Sequence, residues 1–192
     1  DAAFRQSGFV QIVPKRSADA KRIAEALNRQ HAIWKAYVAP RPVPAFLSGS
    51  AVGSRLFEPT QGYLYSPPYG IGAADVWPQA GARGKGVTIC DIEGAWNLKH
   101  EDLRRGIKLI GGTMLTTLDW RNHGTAVLGE MVSLPNSRGC VGIAHDASAV
   151  VQSAVIGGVF NLAQALTNAT THLRVGDAIL IELQATGPNG KY

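Results

Sequence analysis

Residues 86–92, "GVTICDI", are apolar at successive positions. A strand with one face in water alternates apolar and polar residues. A run that does not alternate has to be covered on both faces, as strands of a parallel sheet are. "ASAVVQSAVI" (147–156) and "DAILIEL" (177–183) carry the same signal. Between the runs lie helical patterns. "HGTAVLGEMVSL" (123–134) reads as a helix opening on a histidine. "FNLAQALTNATTHL" (160–173) places Leu162, Ala165, Leu166 and Ala169 on one face. "IGAADVWPQAG" (71–81) reads as a short helix. Strand–helix alternation of this kind predicts an α/β domain with a mostly parallel sheet and helices on both faces.

The first 40 residues have a different pattern. "GFVQIVP" and "AIWKAYVAP" alternate, and flank a helical "SADAKRIAEALNRQ". Ser17 is its candidate N-cap, and Ala20, Ile23, Ala24 and Leu27 share one face. We expect a small β-α-β module over 1–40. An irregular Pro/Gly/Ser-rich connector running over a surface follows over 41–70, then the α/β domain over 71–192.

The bulk properties exclude several classes. The net charge is +5, and residues 1–40 hold seven cations against three acids. These charges fall on the solvated side of the helix with no interleaved stacking aromatics, so no nucleic-acid partner is expected. No apolar run approaches membrane-spanning length, and "DAAFRQSGFV" lacks the layout of a signal peptide, so no membrane partner is expected and any such peptide is already absent. Cys90 and Cys140 belong to no CxxC pair and no zinc spacing, and Cys90 lies in a strand where it acts as a small hydrophobe. "GARGKG" precedes its strand, so it is not a dinucleotide loop.

Ligands in an open α/β sheet collect at the carboxyl ends of strands. Asp91 ends the apolar "GVTIC" and is placed at that edge, either capping the next turn or orienting a partner. His123 precedes Gly124, which permits close backbone approach, and Thr125. A core histidine bonded to a carbonyl is one reading. The other is a carboxylate-oriented general base. The carboxylate holds one ring nitrogen and leaves the other to take a proton from a nucleophile.

Four segments resemble the subtilisin-like serine proteases. "GVTICDIEGAWNLKHEDL" (86–103) resembles their aspartate segment and "NHGTAVLGEMV" (122–132) their histidine segment. "GCVGIAHDASAVV" (139–151) and "GDAILIEL" (176–183) resemble the segments after these. The resemblance covers roughly residues 70–190, and Asp precedes His as in that family. It implies a subtilisin-like fold and a secreted serine endopeptidase acting on protein or peptide substrates. In it Asp91 orients His123, the general base. It implies a substrate edge at Glu182, Leu183 and Gln184, no required cofactor, and a structural calcium at Asp102 and Asn136, against which Arg138 argues. In layout, residues 8–38 also resemble the family's propeptide, a small sheet-and-helix module that chaperones folding and blocks the cleft; an N-terminal decoration is the alternative.

There are departures. Asp91 is followed by Ile92, Glu93 and Gly94 where the family has a hydroxyl residue and then Gly, and Glu93 adds negative charge near the histidine. None of the ten serines lies in a Gly-Thr-Ser-x-Ala context, and the oxyanion Asn is missing. We therefore expect a fold incomplete at its C-terminus, complemented by a segment or chain carrying the nucleophilic serine. Alone, this chain is expected to be inactive. A noncatalytic protease-like binding module is the alternative.

Overall fold

The computed structural model describes residues 12–33, 35–38, 43–44 and 56–185. By contact, the chain divides into a unit of residues 1–43 and 185–192 and a unit of residues 44–184.

In the first unit, helix α1 spans Ala20–Leu27 behind a 3-10 turn, Ser17–Asp19. Ala20, Ile23, Ala24 and Leu27 are its half-buried positions, and Lys21, Arg22, Glu25 and Ala26 are exposed, as the spacing requires. The cap differs from expectation. Ser17 lies in the 3-10 turn, and the N-cap is Asp19, whose side chain accepts from Arg22 at 3.3 Å and not from a backbone N–H of the helix. Of the expected flanking strands, "GFVQIVP" falls largely outside the described residues and "AIWKAYVAP" partly so; among the described residues, 12–14, 32–33 and 35–38 form no strand.

The second unit holds the α/β layer. After a short helix α2 (Ala73–Val76) come β1 (Thr88–Glu93), β2 (Lys108–Gly111), α3 (Leu118–Val132) and β3 (Ser148–Ser153). A hairpin of β4 (Val155–Ile156) and β5 (Val159–Phe160) precedes α4 (Leu162–His172), β6 (Ala178–Ile181) and the two-residue β7 (Leu183–Gln184). Four strands form one parallel sheet in the order β2-β3-β1-β6. The hairpin turn uses Gly157 and Gly158, both at positive φ, the geometry in which glycine matches the twist of the two strands.

The period-2 alternation of the strands sorts the core into two layers. Ile89, Leu109, Ala149 and Val151 face Leu128 and Val132 of α3, together with Trp96 and Leu103. Cys90, Ile92, Ile110 and Val150 face Ala165 and Ala169 of α4. Helices therefore cover both faces, as predicted. Cys90 is fully buried.

Three expectations change. Residues 56–70 do not simply run over a surface. Gln61 and Leu64 are buried, and Leu64 packs with Ala73 and Val141. The Gln61 side chain donates to the Val141 carbonyl at 2.9 Å and accepts from its N–H at 2.8 Å, so an irregular segment is fixed by closing a backbone-like pair. On α4, Ala165 and Ala169 are buried but Leu162 and Leu166 are exposed, because the small residues alone let the helix settle on the sheet. Finally, β6 is not covered on both faces. It is the outer strand of the sheet, and Ala178 and Ile181 are exposed.

Candidate active site

β1 continues past the apolar run. Its last residue is Glu93, and Gly94 begins the loop. Because side chains alternate, Asp91 and Glu93 project from the same face as Ile89, toward α3. At about 3.3 Å per residue, Glu93 stands some two residues nearer the carboxyl edge than Asp91. Both are fully buried.

His123 belongs to α3, but the expectation that it opens the helix is not met. The helix begins at Leu118, so His123 sits in its second turn. The earlier start follows from Trp120, whose ring packs on Phe160 of β5 with centroids 5.5 Å apart. That tertiary contact stabilises a first turn whose polar residues carry no helical signal of their own.

Two small residues bring α3 to the strand end. A Cβ on Gly124 would collide with the carbonyl of Ala95 and press on the Trp96 ring, so only glycine permits this approach. The Thr125 hydroxyl accepts from the N–H of Asn97 at 2.8 Å and donates to the carbonyl of Arg121, tying the loop after β1 to the helix.

The result is a close carboxylate–imidazole pair, and the carboxylate is not Asp91. Nδ1 of His123 lies 3.1 Å from Oε1 of Glu93, with the histidine side chain 9 % exposed and the glutamate 0 %. Asp91 is engaged elsewhere: its Oδ2 accepts from the Trp96 indole N–H at 2.7 Å. The expected hydrogen bond from His123 to Asp91 is thus replaced by an approach to Glu93. The physical reason is strand length: the apolar run stops at Cys90, while the strand runs on to Glu93. The sequence contains a signal for this, since the first strand-breaking glycine follows Glu93.

The cluster is electrically tense. Burial pushes the Glu93 carboxyl up to about 9, with the Asp91 charge adding to the effect and the Gly94 N–H opposing it. Burial likewise pushes Asp91 up to about 7, against the Trp96 hydrogen bond. Asp91 Oδ1, Glu93 Oε1 and His123 Nδ1 are buried and lack a well-aligned hydrogen bond among the described residues. The Glu93–His123 contact is at bonding distance but off the line of a straight hydrogen bond. Catalytic hydrogen bonds often sit this way before substrate arrives.

The other candidate residues fall into two groups. Glu182 is exposed, between β6 and β7, and its charge acts on Asp91, Glu93 and Glu130, which places it at this end of the sheet. Leu183 and Gln184 are half-buried in β7. Asp102 and Asn136 do meet, but as a closed brace. Asp102 Oδ1 accepts from Asn136 Nδ2 at 3.3 Å, and Oδ2 accepts from the Cys140 N–H at 3.1 Å. Asn136 Oδ1 accepts from the Arg138 N–H at 3.0 Å. These oxygens already face N–H donors, and no cluster of three His, Cys, Asp or Glu residues suited to a metal occurs among the described residues. The pair does not fit calcium, which is held by oxygen ligands.

No family model matches the sequence. The chain is similar to an intracellular serine protease of Paenibacillus polymyxa, with 31 % identity over 90 residues. The match covers 42 % of this chain and 26 % of that protein, so the chain corresponds to about a quarter of the relative's length. The expectation of a secreted protein is corrected by this finding, since the similar protein is an intracellular one. The likeness to a serine protease is thus partial and distant.

Proposed function

We propose that this chain contributes the base and its orienting carboxylate to an intracellular, subtilisin-like serine endopeptidase, with Glu93 in the orienting role. The observation that carries this reading is the 3.1 Å approach of His123 Nδ1 to Glu93 Oε1 at the carboxyl end of a parallel sheet. In its ionised form Glu93 holds the Nδ1–H, which leaves Nε2 as the basic nitrogen. Nε2 takes the proton of a serine hydroxyl as its oxygen attacks the peptide carbonyl. The imidazolium so formed is stabilised by Glu93, then returns the proton to the departing amine. Substrate lies along the strand end near Glu182, Leu183 and Gln184, where Glu182 favours basic residues. The serine and the side-chain oxyanion donor come from a complementing segment outside this sequence, which pairs with the outer strand β6.

The test uses a fluorophosphonate probe and a fluorogenic peptide. The 192-residue chain alone is expected to give neither labelling nor turnover. The protein that includes the complementing segment is expected to label at a serine of that segment, and H123A abolishes labelling. Serine labelling and turnover by the isolated chain would overturn the proposal.

A further inference from the structure

The relay needs only one carboxylate, yet β1 buries two on the face toward α3, and no step of the mechanism uses Asp91. A fully buried carboxyl with one oxygen unpartnered is costly to keep. Asp91 touches the site along two routes. Its Oδ2 holds the Trp96 indole, and the Trp96 ring lies against Gly124, the residue after His123. Its charge also acts directly on Glu93, two residues along the same strand face.

We propose that Asp91 is a positioning residue for the Glu93–His123 pair: through Trp96 it seats the helix that bears His123, and through its own charge it sets how tightly Glu93 holds its proton. The surroundings leave it that power. The charged groups acting on the pair are Asp91 on β1, Glu130 on α3, and Glu182 beyond β6, while Cys90 lies on the opposite face of β1. Among the described residues, no lysine or arginine is among the charges acting on Asp91 or Glu93. An ionised Asp91 therefore favours protons on its neighbours. A neutral one releases them.

The inference rests on the Glu93–His123 pairing and not on proteolysis. Its readouts are proton titrations of the chain itself, so missing probe labelling would sink the peptidase reading and leave these curves to decide this one. Carboxyl ¹³C resonances of Asp91 and Glu93, assigned by their loss in D91N and E93Q, are followed against pH in the 192-residue chain. In the unaltered chain the Glu93 signal is expected to show a second inflection at the Asp91 midpoint, and the Trp96 indole N–H signal to move with the same step. In D91N the amide oxygen still accepts from Trp96 but the charge is gone. The extra inflection is then expected to vanish and the Glu93 midpoint to fall by about half a pH unit or more. A single-step Glu93 curve in the unaltered chain, superimposable on that of D91N, overturns the proposal. Should D91N fail to fold, the presence or absence of the inflection in the unaltered chain decides.

Discussion

Two buried acids in this molecule, Asp102 and Glu93, meet side chains from distant parts of the sequence, and they do so differently. Asp102 has donors on both oxygens, and its carbonyl accepts from Leu134 N–H at 2.7 Å. Glu93 has a distant backbone N–H at 3.3 Å on one oxygen and only the skewed approach of His123 on the other. A closed hydrogen-bond set stabilises a loop. An open one stores a tension that chemistry can release. Composition does not separate the two places, since both are acids near histidines and glycines. Satisfaction of the polar atoms does.

The comparison is broken most sharply at the histidine. In the protein carrying the complementing segment, H123A is expected to lower kcat by about 10⁴–10⁶, and E93Q by about 10³–10⁴, with urea denaturation midpoints close to the parent's. Loss of activity in D91N as deep as in E93Q would return the orienting role to Asp91.

The brace should answer in the other currency. D102A strands the Cys140 N–H and leaves the Asn136 amide only the Glu101 carbonyl, and is expected to cost about 1–3 kcal/mol in urea unfolding with the carboxyl titrations of Asp91 and Glu93 unmoved. Adding calcium should leave the melting temperature of the parent chain where it is.

The smallest effect lies in the pH dependence of stability. Asp91 and Glu93 hold their protons more tightly folded than unfolded, since their folded values rise to about 7 and about 9. Between the ordinary carboxylate range and these values the native state binds more protons, so stability falls as pH rises. Their contribution is complete below about pH 4 and is lost on the way to pH 9. The slope of unfolding free energy against pH over 5–8 should flatten in D91N and E93Q and persist in D102N.

Most of the α/β layer is legible in the sequence because buried strands and amphipathic helices leave periodic traces, as "GVTICDI" and the Ala165–Ala169 face do. His123 is legible too, through the small residues after it. Glu93 is harder to see. Hydrophobicity marks where a strand is covered, not where it stops, and the final residues of β1 are polar since they reach the site. The early start of α3 depends on Trp120 meeting Phe160, a contact 40 residues apart that no local pattern encodes. The burial of Gln61 has the same origin, since its partner Val141 is 80 residues away.

The approach at Gly124 has a mechanical consequence. The helix backbone next to His123 rests on the carbonyl of Ala95, two residues beyond Glu93 in the loop that follows β1. In the proposed reading, base and orienting carboxylate are therefore mounted side by side. With Glu93 fully buried and His123 nearly so, their side-chain torsions have little room to vary. The disorder that has to be given up to align them is surrendered once, during folding, and not again at each turnover. A methyl group at position 124 would work as a wedge, prising the two halves of the pair apart without touching either.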